Sequence, residues 1–153
     1  MEIGLSRESR EKVNEVLKKL LADEYLLYTQ ARNYHWNVTG PHFISYHEFF
    51  EKQYDETDEV IDEVAERIRT LGGRALGSLQ EMLDHTRLKE VVKDLNASEM
   101  LQHLLSNNEA IVRSLREDIE VVGECGDEGT TDFLIALMEK HEKASWFIRS
   151  HLE

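Results

Sequence analysis

The chain has 153 residues and a formal net charge of −13, from 31 acids against 18 bases. That length suits a single domain, 1–153, with its own core. The composition, 41% apolar and 32% charged, is that of a soluble globular protein. An acidic surface repels nucleic-acid phosphate unless a basic arm overcomes the mean field. Neither end supplies one. Arg7, Arg10 and Lys12 are offset by Glu2, Glu8 and Glu11, and the C-terminal SWFIRSHLE has no lysine tail. The single cysteine, Cys125, excludes an internal disulfide framework and reads as an idle thiol near a loop. No apolar run approaches the ~18 residues of a membrane span. The opening MEIGLSRESREK is too polar for a secretory leader, so a cytoplasmic address is expected.

With one proline in the chain, long segments run without a strong breaker, which favours helices. Ser6 is the predicted N-cap of a first helix carrying Val13, Val16, Leu17, Leu20, Leu27, Tyr28 and Ala31 at three-and-four spacing. It ends near Val38, ahead of Gly40-Pro41. A second helix runs from about Phe43 to Leu71, with Phe50, Tyr54, Ile61, Val64, Ile68 and Leu71 inward, and Gly72-Gly73 stops it. SLQE at 78–81 has capping-box spacing and opens a short helix to about His85. NASE at 96–99 opens a third long helix, with Met100, Leu104, Ile111, Leu115, Ile119 and Val122 inward, closed by Gly123 and Gly126. The last runs to about His151 with Phe133, Leu134, Leu137, His141, Phe147 and Ile148 inward. The predicted fold class is all-α: a four-helix bundle with a short helix in the second-to-third connection.

Three of the seven histidines fall in YHWNVTGPHFISYHEFF, residues 34–50. His35 lies six residues before Pro41 and His47 six after it, so a hairpin turning at Gly40-Pro41 sets the two imidazoles level on neighbouring helices. That is a metal-ligand pair in outline. His42, in the turn, reads as a surface or cap residue. His85, His103 and His141 have no partner at ligand spacing and read as surface or core residues. Glu51 follows His47 by one turn and shares its face. Asp62 and Glu66 form a second such pair, although acids at this spacing more often line a solvated face. Asp62 stands only about 60° round the helix from His47 but roughly 22 Å along it. One subunit therefore cannot close a site from both pairs, whereas two antiparallel copies of the helix about a two-fold axis can. No histidine is preceded three residues earlier by Glu, so a bundle-core di-iron centre of the Glu-x-x-His type is not expected.

The run YHWNVTGPHFISYHEFFEKQYDETDEVIDEVAERIRTLGG resembles the signature of the Dps family, the mini-ferritins of the ferritin-like superfamily. DEGTTDFL and MEKHEKASWFIRSHLE in the last helix resemble the family too, so the likeness spans nearly the whole chain. It implies a hollow homo-dodecamer that stores ferric mineral and limits oxidative damage. It also implies ferroxidase sites shared between two-fold partners, each taking at most two irons. His35 and His47 then come from one chain and Asp62 and Glu66 from the other, all four being catalytic and metal-binding. Glu51 stands where many members have Asp, and its longer arm changes the reach of that carboxylate.

The implied oxidant is hydrogen peroxide, with dioxygen as the alternative. Trp36 resembles the tryptophan beside the site in relatives. It is a candidate for intercepting oxidising equivalents, set against an ordinary role as a packed aromatic at a dimer seam. Asp127, Glu128 and Asp132 match the acids that line the family's iron-entry pore, where an acidic ring focuses cations. Equally, Asp127 and Glu128 suit a helix N-terminus, and the two readings are compatible. Glu48, Glu51 and Asp55 are candidates to face the cavity and seed mineral. Family members that bind DNA usually do so through lysine-rich termini; their lack here makes DNA binding weak or absent. A nucleoid-associated, DNA-condensing protein with secondary iron oxidation is the alternative function, and an unmetallated structural bundle is the bland one.

Overall fold

The structure, a computed structural model, describes residues 1–153. It contains five helices: α1 (Arg7–Asn37), α2 (Phe43–Thr70), α3 (Leu79–His85), α4 (Ala97–Glu124) and α5 (Glu128–Leu152). The fold is an all-helical four-helix bundle, with α3 in the long connection between α2 and α4. No helix is long and apolar enough to cross a membrane.

Local chemistry accounts for the helix ends. Ser6 caps α1 by accepting from the Ser9 amide. Ser78 and Asn96 each form the full reciprocal capping box with the glutamate three residues on. α2 ends in a Schellman turn. Gly72 takes φ +83°, and the Gly73 amide donates to the Ile68 carbonyl at 2.9 Å. The second glycine serves packing, since a Cβ at Gly73 would meet Asn14 Nδ2 at 2.7 Å and Ile68 Cγ2 at 2.9 Å.

The apolar stripes merge into one core of 26 buried residues drawn from all five helices and their connections. α1 packs chiefly on α2, and α4 chiefly on α5, so the bundle is two antiparallel hairpins docked through α1 and α4. Parts of the expected stripes lie at the margin: Tyr54, Ile61, Ile119 and Phe133 are only partly buried, and Phe147 is exposed.

A buried charged clasp ties the long connection down. Arg87 Nε reaches Asp23 Oδ2 on α1 at 2.7 Å, and its Nη1 reaches Asp118 Oδ2 on α4 at 2.9 Å. Asp23 Oδ1 also accepts from the Thr86 hydroxyl and from the Arg87 backbone amide. Burial pulls the Arg87 guanidinium down, but the two carboxylates outweigh that and hold it above its ordinary value. Asp118 is also raised, but for the opposite reason: burial raises its carboxyl by more than its share of Arg87 lowers it.

Candidate metal centre

His35 is on the last turn of α1 and His47 on the second turn of α2. His35 Nδ1 lies 2.9 Å from the His47 carbonyl, and His47 Nδ1 lies 2.8 Å from the His35 carbonyl. A carbonyl only accepts, so each Nδ1 carries the proton and donates. The His35 carbonyl lies in the final turn of α1, where carbonyls lose their intrahelical partners, and the His47 ring satisfies it. The rings stack with centroids 3.7 Å apart and 21° between their planes. When neutral, each ring has its lone pair on Nε2, the atom a metal takes. A backbone carbonyl behind a ligating imidazole fixes both tautomer and orientation. The twelve-residue spacing therefore does bring the two histidines level across the hairpin.

Their surroundings are aromatic. Phe43 tilts against His47 at 5.0 Å and Tyr54 stands edge-on to His35 at 5.3 Å. Arg32, one turn before His35, lies over the rings of Trp36, Tyr28 and Tyr54 at 4.8, 5.3 and 5.9 Å. Its Nη1 donates to the Tyr28 hydroxyl at 2.7 Å. Trp36 itself is exposed. Tyr54 donates to Glu51 Oε1 over a long 3.5 Å. Partial burial, Glu51 and Asp55 together raise the Tyr54 phenol above its ordinary value. The arrangement around Arg32 escaped the sequence reading, although Tyr28, Arg32 and Trp36 follow one another at helical spacing.

Asp62 and Glu66 are exposed further along α2. Within one chain, no three His, Cys, Asp or Glu side chains converge on a metal-sized space. The donor set available in one chain is thus two imidazoles, with Glu51 one turn from His47 and Asp62 and Glu66 roughly 22 and 28 Å along the helix from it. Two imidazoles completed by carboxylates suit Fe(II), Zn(II) and their neighbours.

A family model described as a ferritin-like domain matches residues 14–153. The chain is 35% identical over 140 residues to DNA protection during starvation protein 2 of Bacillus anthracis, covering 92% of this chain and 96% of that protein. The Dps structure from Vibrio cholerae, described as a member of a broad superfamily of ferritin-like diiron-carboxylate proteins, superposes with a TM-score of 0.95. It is 32% identical and covers 100% of this chain and 96% of its own. The chain belongs to the Dps family. An uncharacterized low temperature-induced protein of Nostoc sp. is similar as well, 43% identical over 153 residues, covering 99% of this chain and 86% of the relative.

The remaining sequence candidates separate against this Dps-family background. Asp127 is buried and already engaged. Its carboxylate caps α5 through the Thr130 amide at 3.0 Å and hydroxyl at 2.6 Å, and it accepts from Arg67 Nη2 at 2.9 Å. Glu128 and Asp132 are exposed. So are Glu48, Glu51 and Asp55 on α2. His42 precedes α2, exposed and without a capping bond from its side chain. His103 accepts from the Tyr34 hydroxyl, with 2.6 Å between Nδ1 and oxygen. His141 is buried among α1, α4 and α5, bonded to Asn108 and Glu24.

Proposed function

We propose that the protein oxidises Fe(II), with hydrogen peroxide as the preferred oxidant, at sites shared between two-fold related subunits. The ferric product is stored inside a hollow dodecamer, and removing ferrous iron together with peroxide protects the cell. The observation that carries this reading is the reciprocal pair of Nδ1–carbonyl bonds. It holds His35 and His47 stacked in one tautomer, each Nε2 available to a metal.

In this scheme His35 and His47 of one copy bind substrate iron through Nε2, and Asp62 and Glu66 of a second copy complete the donor set. Anionic oxygen favours Fe(III) over Fe(II), so the carboxylates drive the oxidation as well as the binding. Glu51 reaches the same space from beside His47 and shields a second ferrous ion. Two ferrous ions give one electron each, and peroxide accepts both with two protons to become two waters; dioxygen is the slower alternative. Glu128 and Asp132 focus cations at an entry pore, with Asp127 reserved for the α5 cap and Arg67. Glu48 and Asp55 seed mineral.

Mixed assemblies give the decisive measurement. His47→Ala chains combined with Asp62→Ala chains regain half of the sites in mixed pairs, whereas a mixed pair of one parent chain and one chain carrying both substitutions keeps neither site. The reverse pattern means that each subunit closes its own site and overturns the shared arrangement. DNA binding is a second reading, suggested by the starvation-protein relatives; the charge of −13 argues against it. Tight retention of DNA in a gel shift at near-physiological salt would reinstate it.

A further inference from the structure

Three tyrosines outside the ligand set form a continuous aromatic path to the histidine pair. Tyr54 meets His35 edge-on at 5.3 Å, Tyr28 meets Tyr54 edge-on at 6.1 Å, and Tyr25 tilts against Tyr28 at 6.0 Å. Rings at these centroid separations are in contact. The ordinary explanation of tyrosines at helical spacing is packing, but all three are only partly buried, and two of the hydroxyls have charged partners. Tyr54 donates to Glu51 Oε1 at 3.5 Å. Tyr28 Oη accepts from Arg32 Nη1 at 2.7 Å, a bond that survives loss of the phenolic hydrogen.

We propose that Tyr54 is the electron donor when a single ferrous ion meets peroxide, and that Tyr28 then holds the unpaired electron away from the ligands. The inference rests on the ferroxidase reading above. One ferrous ion supplies one electron, while cleaving the O–O bond to two waters needs two electrons and two protons. Tyr54 supplies the second electron. Its phenolic proton passes by way of Glu51 Oε1 to the departing oxygen, and solvent supplies the other proton. Tyr28 reduces the Tyr54 radical, its own proton going to solvent as one returns to Tyr54. A second ferrous ion, with one proton, later restores Tyr28. The sum is two Fe(II), one peroxide and two protons giving two Fe(III) and two waters.

Electrostatics separates this path from one through Trp36. Oxidised indole carries positive charge until it loses a proton, and the Arg32 guanidinium lies 4.8 Å from the Trp36 centroid. Like charges in such proximity disfavour that state. A tyrosyl radical is neutral once its proton has left.

The test uses the assembled protein loaded anaerobically with less than one Fe(II) per histidine pair and then mixed with excess peroxide. Freeze-quenched samples are read by electron paramagnetic resonance, with ferric absorbance followed in parallel. The expected result is an organic radical whose line narrows with ring-deuterated tyrosine. Tyr54→Phe loses it and raises the yield of trapped hydroxyl radical several-fold. Tyr28→Phe keeps a shorter-lived radical, and Trp36→Phe keeps the signal. Normal ferric absorbance with no tyrosyl signal in the parent overturns the relay and leaves the ferroxidase reading standing. So does a signal undiminished in Tyr54→Phe or lost in Trp36→Phe. Absence of ferric product in the parent overturns both.

Discussion

His141 Nε2 on α5 lies 2.7 Å from Glu24 Oε1 on α1, the glutamate completely enclosed and the histidine nearly so. On its other side His141 Nδ1 donates to Asn108 Oδ1 at 2.9 Å. An amide oxygen only accepts, so Nδ1 carries a proton and a second proton is shared between Nε2 and the carboxyl group. Glu24 Oε2 has no partner. Removing one member of such a pair strands the other in a dry interior. Glu24→Ala and His141→Ala should each destabilise by about 3–5 kcal/mol, and an apolar pair of matched volume should recover most of that. Thermal unfolding of the two single variants and the double variant checks this, and a loss in the double variant equal to the sum of the two single losses would mean that the pair is uncoupled.

The clasp predicts a pH dependence. Asp118 is raised above its ordinary value of 3.8, with burial as the leading cause. A carboxyl raised on folding binds its proton more tightly in the native state. Its contribution is present in full below the unfolded value and is lost as pH rises through the folded one. Asp118→Asn should therefore flatten the decline in stability on the neutral side of pH 3.8. Urea midpoints measured across that range report the difference. Arg87→Ala removes the cation bonded to both buried acids and should cost about 3–5 kcal/mol at neutral pH.

Tyr34 and His103 make a second testable pair. Burial pushes the Tyr34 phenol up to about 12, and burial also lowers His103. The phenol thus donates to a neutral imidazole across 2.6 Å. For a lowered histidine, stability is present above the unfolded value and lost as pH falls through the folded one. Tyr34→Phe should cost about 1 kcal/mol at neutral pH. In an alkaline absorbance titration of the five tyrosines, the parent should retain one phenol to about pH 12, and Tyr34→Phe should abolish that late step.

Asp127 and Asp132 should respond differently to loss of charge. Asp127→Ala removes the α5 cap and the Arg67 partner, so it should lower stability by about 1–2 kcal/mol. Asp132→Asn touches no such contact and should slow iron uptake, most visibly at low ionic strength where cation focusing is strongest. Parallel melting curves and uptake rates separate the two. A slow-uptake Asp127→Ala with unchanged melting would reverse the assignment.

Much of this was legible in the sequence because it is local. Capping boxes at Ser78 and Asn96 need only four residues, and helix periodicity needs only a few turns. The His35–His47 register was legible because a hairpin hinged at Gly40-Pro41 fixes which residues stand level. What escaped depends on distant partners. Asp23, Glu24 and Asp118 look like ordinary solvated helix acids until Arg87 and His141, 31 to 117 residues away, are folded against them. Asp127 shows the same limit: its acidity is visible in the sequence, its prior commitment to Thr130 and Arg67 is not.

The crossed imidazole–carbonyl bonds belong to a single hairpin and need no second molecule. Each folded chain consequently holds both rings already aimed, their rotational freedom surrendered during folding and not left to be lost on binding a ligand. In the shared site proposed above, a second copy would then have only carboxylates to deliver, and those reside on one helix, α2, whose placement follows once two copies dock.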